Sequence, residues 1–229
     1  MKKIFSLFFI FVFQLLIAET HPFFIAPKNW QVTNPKTYTK YIQIAFTKNE
    51  TAICRPSLNL SIQETDLTLD EYTKEAQKIH QKDPNTTYTI LGNIDLSQGK
   101  AKLSQIDQKI YSTNYQLLQM IFIKDNVAYI MTASSKKDDM LKNHQTFLDT
   151  FSSFKITHDL FSLVSDKSKQ EMLKQKYNSF LTSSKNLSDK QLKKKLSSFE
   201  KYLDNNFQNL GKYFQVLLFK KAYKEIKES

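Results

Sequence analysis

Tyr115-Gln116-Leu117-Leu118-Gln119-Met120-Ile121-Phe122-Ile123 is apolar on both sides of an extended chain. Successive strand residues point to opposite faces, so Leu117 and Ile121 share one face while Leu118, Met120 and Phe122 share the other. A strand with one wet face alternates cleanly, whereas a strand apolar on both faces belongs in the middle of a sheet covered on both sides. The reading therefore asks for two covers, and the neighbouring sequence supplies them.

Downstream, Lys124-Asp125-Asn126 joins this strand to Val127–Thr132, and Met140, His144, Phe147 and Phe151 follow at spacings of 4, 3 and 4. That is the stripe of a helix. Phe154 and Ile156 then read as a short closing strand. Upstream, Tyr88–Leu96 and Lys100–Ile106 are split by Ser97-Gln98-Gly99, a turn with glycine where a positive φ is wanted. Before them, Leu69, Tyr72, Ala76 and Ile79, spaced 3, 4 and 3, form a second helical stripe. Thr68 and Glu71 have the spacing of a capping box at its start, and Pro84 lies beyond its end. Leu58, Leu60 and Ile62, and earlier Ile42, Ile44 and Phe46, alternate as half-wet strands.

The order is strands, helix, four-strand meander, helix, strand. Hairpin-length connections make the sheet mainly antiparallel, with helices on both faces. The expected class is α+β, an α/β/α sandwich, and not a doubly wound nucleotide fold. The chain has three glycines, Gly92, Gly99 and Gly211, and none belongs to a phosphate-cradling loop.

Several marks in this order resemble the PsbP-like group, which includes DcrB-like envelope proteins. Pro27-Lys28-Asn29-Trp30 is similar to its opening Pro–Trp element, and Leu58–Ile62 followed by Leu69-Asp70-Glu71-Tyr72 to its strand and helix start. Val127-Ala128-Tyr129-Ile130-Met131-Thr132 and Phe151-Ser152-Ser153-Phe154-Lys155-Ile156 resemble its last two strands. The resemblance covers about residues 27–156. It implies that fold and a non-catalytic binding or assembly role, with no catalytic signature to carry over. The chain departs from DcrB-like lipoproteins in having no lipobox cysteine, and from the whole group in its tail.

The two ends differ from this middle. Lys2 and Lys3, the apolar run Ile4–Ile17 and the small Ala18 have the anatomy of a signal peptide, residues 1–18. The run is shorter than the roughly 20 residues that span a bilayer, so cleavage is expected, with an uncleaved anchor as the alternative. The expected address is periplasmic or secreted. A single cysteine, Cys54, excludes an internal disulfide, so an exported domain must rest on its core. Residues 19–156 carry 16 basic against 14 acidic side chains, whereas 157–229 carry 15 against 8. Three regions are thus expected: the leader 1–18, an α+β domain 19–156 and a basic helical extension 157–229, the last two separable near 157–165.

In the extension, Leu192, Leu196, Phe199, Leu203, Phe207, Leu210, Phe214 and Leu217 form one near-heptad seam, with Leu173, Tyr177, Phe180 and Leu181 as an earlier helix. A helical hairpin packed on itself or on the domain is the expected arrangement. A docking surface for a protein or an anionic bilayer is the alternative, with Lys193, Lys194 and Lys195 available to headgroups.

No residues are assigned as catalytic, cofactor-binding or metal-binding. Cys54 is the one candidate nucleophile for a hydrolase, but neither His80 nor His144 stands in a local signature with it, so a packed, idle thiol is expected. His144 reads as a core residue of its helix. Asp138 and Asp139 read as first-turn carboxylates favoured by the helix dipole rather than metal ligands. The chain is therefore read as an exported, non-catalytic accessory protein of the bacterial envelope with a protein partner. Alternatives are a membrane-surface protein docking through its tail and, less favoured, a Cys54 hydrolase. Nucleic acid is not expected as a partner.

Overall fold

A computed structural model describes residues 20–33, 40–51, 54–185 and 187–228. The leader expected at residues 1–18 lies outside them. The described strands are β1 (His21–Phe23), β2 (Trp30–Val32), β3 (Ile42–Lys48), β4 (Ser57–Glu64), β5 (Thr86–Leu96), β6 (Gly99–Ile110), β7 (Thr113–Lys124), β8 (Val127–Lys136) and β9 (Lys155–Thr157). The helices are α1 (Leu69–His80), α2 (Met140–Ser152), α3 (Lys167–Ser184), α4 (Asp189–Asn206) and α5 (Gly211–Glu228). Among the described residues seven strands form one sheet in the order β2-β3-β4-β8-β7-β6-β5, antiparallel throughout. β1 and β9 pair separately, so the closing strand meets the N-terminal strand and not the main sheet.

Turn chemistry sets the meander. Lys124 pairs with Val127, and the two residues between them, Asp125 and Asn126, stand at φ 51° and 59°. Aspartate and asparagine tolerate that left-handed region better than most residues, and the resulting twist suits a hairpin. Gly99 has φ 140°, as the sequence asks of it. The neighbouring Gln98 does more than turn the chain. Its side-chain amide donates to the Ile156 carbonyl at 2.8 Å and accepts from the Ile156 N–H at 2.7 Å, clasping β9 as another strand would.

The central strand is apolar on two sides for the reason its sequence implies. On one face, the row Phe46, Leu58, Ala133, Leu118 runs straight across β3, β4, β8 and β7, and every member is buried. α2 covers this face with Phe147 and Phe151, both fully buried, and Trp30 meets Phe147 edge to face at 6.0 Å. His144 is half-buried while its neighbour Asn143 is buried, donating to the Asp139 carbonyl at 2.9 Å. On the opposite face, Ile121, Ile106 and Tyr88 are buried beneath α1. The capping box is present, with Glu71 accepting from the Thr68 N–H at 2.9 Å. The expected stripe is only partly met. Leu69, Tyr72 and Ala76 are half-buried, Thr73 is the buried residue of α1, and Ile79 is 63% exposed. His80 takes the packing place beyond them, stacked on Tyr88 at 5.3 Å.

The tail corrects the expectation of a two-helix hairpin, because the seam is two helices. A 3-10 turn at Gln208–Leu210 and Gly211 at φ 71° end α4 and start α5, which folds back so that Phe199 and Phe219 meet at 6.0 Å. A Cβ on Gly211 would sit 3.1 Å from the backbone N and O of Ala26, so glycine serves both the φ and the close approach. α5 then drives Tyr213 between Phe24 and Phe46, at 4.6 and 6.3 Å, and Phe214 edge-on to Phe23 at 6.4 Å. The buried core is continuous from β3 through β1 into α3, α4 and α5. The expected division near residue 157 thus meets a change of secondary structure that the core crosses.

Candidate functional site

The chemistry-bearing residues singled out from the sequence are not brought together. Cys54 is half-buried before β4, and the Tyr115 hydroxyl donates to its Sγ at 3.0 Å. That hydrogen bond holds the Tyr115 phenol above its usual range, so it is no base for the thiol proton. His80 lies on the same face of the sheet as Tyr115 but packs elsewhere on it. It stacks on Tyr88 of β5, two strands from the β7 residue that contacts Cys54, and each strand step is about 4.8 Å. Burial pushes the His80 imidazole below its ordinary pKa. Asp138 and Asp139 lie in a 3-10 turn entering α2, where Lys142 reaches Asp139 at 2.8 Å and holds its carboxyl below the usual range. Among the described residues no three of His, Cys, Asp and Glu converge as metal ligands.

What the fold does assemble is exposed edge and concave surface, in three places. The first is the edge of the sheet. β5 is the last strand, 11 residues long with neither lysine nor proline, and Ile90 and Leu91 are 40% and 48% exposed. Edge strands usually carry lysine, proline or a bulge to discourage pairing. β5 has the bulge, between Ile90 and Gly92, which moves its apolar side chains from the α1 face at Tyr88 to the α2 face at Leu96. On either side of it the strand is regular.

The second place is a cleft of about 520 Å3 between the Ile25–Lys28 loop, Trp30 and α2. Asn29 at φ 63° turns the chain so that Trp30 enters the core, while Ile25 and Lys28 of the loop are exposed and Ala26 is buried. Lys28, Lys48 and Lys142 line the cleft with Asp149, but Lys48 is paired with Glu50 at 3.1 Å and Lys142 with Asp139. Its charge is thus largely answered from within the protein.

The third is in the tail, where α3, α4 and α5 line an open pocket of about 350 Å3. Its walls are Phe180, Leu192, Leu196, Val216, Phe219 and Ile226, with Ala222 and Tyr223 completing it and Lys220 as its charged member. Leu192 and Leu196 belong to the seam read from sequence. The wall from α5 was missed there, although Val216, Phe219, Tyr223 and Ile226 recur at 3, 4 and 3 and mark a second apolar stripe on that helix. Polar ties brace the three helices: Tyr177 donates to Glu225 at 3.1 Å, Gln215 to Asp204 at 2.6 Å, and Lys212 pairs with Glu200. Burial, then the Glu225 charge, raises the Tyr177 phenol far above its ordinary pKa, so it remains a donor at any physiological pH.

No family model and no curated protein matches the chain. Solved structures similar to it include LpqN of Mycobacterium tuberculosis, involved in cell envelope biogenesis, at 12% identity and TM-score 0.49, covering 62% of this chain and 86% of that one. Cyanobacterial PsbP from Synechocystis is similar at 12% identity and TM-score 0.45, covering 63% and 96%. PA94 of Pseudomonas aeruginosa, a protein of unknown function, is similar at 12% identity and TM-score 0.43, covering 55% and 95%. A PsbP is thus among the structures similar to a chain whose sequence marks resemble the PsbP-like group. Among the described residues no helix is long and apolar enough to cross a membrane.

Proposed function

We propose that this chain is an exported, non-catalytic accessory protein of the bacterial cell envelope that acts by binding a protein partner. The observation that carries the reading is the outer edge of β5. Among the described residues no strand pairs with this edge, which carries exposed Ile90 and Leu91, the arrangement by which an extended peptide adds a strand to a sheet. Main-chain hydrogen bonds would supply affinity, and the two apolar side chains would select the register. Export rests on the anatomy of residues 1–18, and the periplasm or the medium is the proposed address.

The test places a photo-crosslinking amino acid at Leu91 in cells and, as a control, at exposed Tyr111 on the β6–β7 turn. One protein should be captured from Leu91, not from Tyr111, and the product should vanish when Ile90→Lys is introduced. Equal capture from both positions, or turnover of a small substrate by the purified chain that Cys54→Ser abolishes, would remove this reading. Membrane-surface docking through the tail is the second reading. Its support is a cleft where Lys220, Lys221 and Lys224 of α5 stand together beside Thr20–Pro22.

A further inference from the structure

Two features of α5 meet at one residue. Lys220 lines the apolar pocket of the tail, and it also lines the cleft of about 200 Å3 that holds Lys221 and Lys224. Lys221 is answered by Glu225 at 2.6 Å, whereas Lys220 is exposed and has no ion pair among the described residues. An apolar chamber with a cation at its rim is complementary to a molecule with an alkyl chain and an anionic head. We infer that the tail pocket binds a single-chain anionic amphiphile, with its chain between α3, α4 and α5 and its head at Lys220.

The dimensions limit the chain. About 350 Å3 accommodates roughly a dozen units of the ~30 Å3 that a water occupies in the liquid, and a methylene has similar bulk. A carboxylate of about 12 carbons therefore fits, whereas a two-chain phospholipid does not. Each methylene taken from water contributes about 0.8 kcal/mol, so the chain supplies most of the affinity and Lys220 supplies the choice of head. Leu192, Leu196 and Val216 are half-buried despite lying on the stripes that would otherwise be sealed, which leaves them for the ligand to cover. This surface is separate from β5, so the two readings stand or fall independently.

Calorimetric titration of the purified chain with monomeric dodecanoate, and with dodecyltrimethylammonium of the same chain length, tests the inference. Dodecanoate should bind saturably at one to one and at least about tenfold more tightly than the cation. Lys220→Glu, at an exposed position, should reverse that order. Val216→Trp should abolish binding of both, and Leu196→Trp, from the opposite wall, should do the same if the first variant loses its helical circular dichroism. Equal affinity for the two heads, indifference to Lys220→Glu, or no saturable binding would overturn the proposal. So would binding seen only with anionic phosphatidylglycerol vesicles, which would make the tail a bilayer-docking surface. A dimer that Val216→Trp dissociates would overturn it too, because a second copy would then fill the pocket.

Discussion

The two faces of the sheet are built differently. The α2 face holds Phe46, Tyr129, Phe147, Phe151, Phe154 and Tyr213, all buried, and recruits Tyr213 from beyond residue 200. The α1 face is closed by Ile106, Ile121 and Tyr88 under a helix whose one buried residue is Thr73, hydrogen-bonded at 2.7 Å to the Leu69 carbonyl. Buried aromatic area is the larger hydrophobic term, at about 1.5–3 kcal/mol for each large side chain fully removed from water. The contrast teaches that stability is concentrated on one side of the sheet, and that part of it is supplied by the extension.

The largest expected effect comes from removing that contribution. A chain ending at Thr157 would leave Phe23, Phe24 and Phe46 without Tyr213 and Phe214. It should lose cooperative thermal unfolding and bind a hydrophobic dye, whereas a fragment that melts sharply would show that the α2 face closes without the tail. Next, Phe147→Ala should cost about 3–5 kcal/mol by denaturant titration, while Ile79→Ala on the α1 side should change stability by less than about 0.5 kcal/mol. Equal costs would erase the contrast. Gly211→Ala places a Cβ against the Ala26 backbone at a positive φ, and should cost about 1–3 kcal/mol. Since it loosens the seating of Tyr213, the loss should shrink when measured in a Tyr213→Ala background.

The smallest effect concerns pH and belongs to the α1 face. Burial lowers the pKa of His80 in the folded chain, so the unfolded chain takes up that proton first. His80 therefore leaves stability unchanged above about pH 6.5 and withdraws it as pH falls through the lower folded value. Asp107 adds a separate acid limb. Partial burial opposes its ionisation, but hydrogen bonds from Gln105, Lys137 and Gln116 prevail and hold it below the usual carboxylate range. Its contribution is present above about pH 4 and lost below. His80→Gln should flatten the stability profile just below about pH 6.5 while leaving the acid limb in place. An unchanged slope in that window would show that another group governs it.

The two-sided apolarity of Leu117–Phe122, the Thr68–Glu71 capping box and the glycine at position 99 determined, from sequence alone, a covered antiparallel sheet and where it turns. These are local properties: period, φ preference and capping chemistry act within a few residues, and the chain expresses them wherever it is placed. The seam from Leu192 to Leu217 shows the limit. Its spacing runs unbroken through Phe207 and Leu210, yet the helix does not, because a one-turn interruption ending in left-handed Gly211 preserves the count of residues while reversing direction. Periodicity records which side chains avoid water and not which way the chain runs between them. The α5 wall of the tail pocket had a legible stripe at Val216, Phe219, Tyr223 and Ile226, but nothing in its spacing says that it faces a space. Only the tertiary structure decided that Tyr213 closes the sheet, that Gln98 clasps Ile156, and that Lys220 stands at the mouth of an apolar pocket. Each depends on segments far apart in the chain meeting, and those meetings are set by the shape and area left uncovered once the local elements have formed.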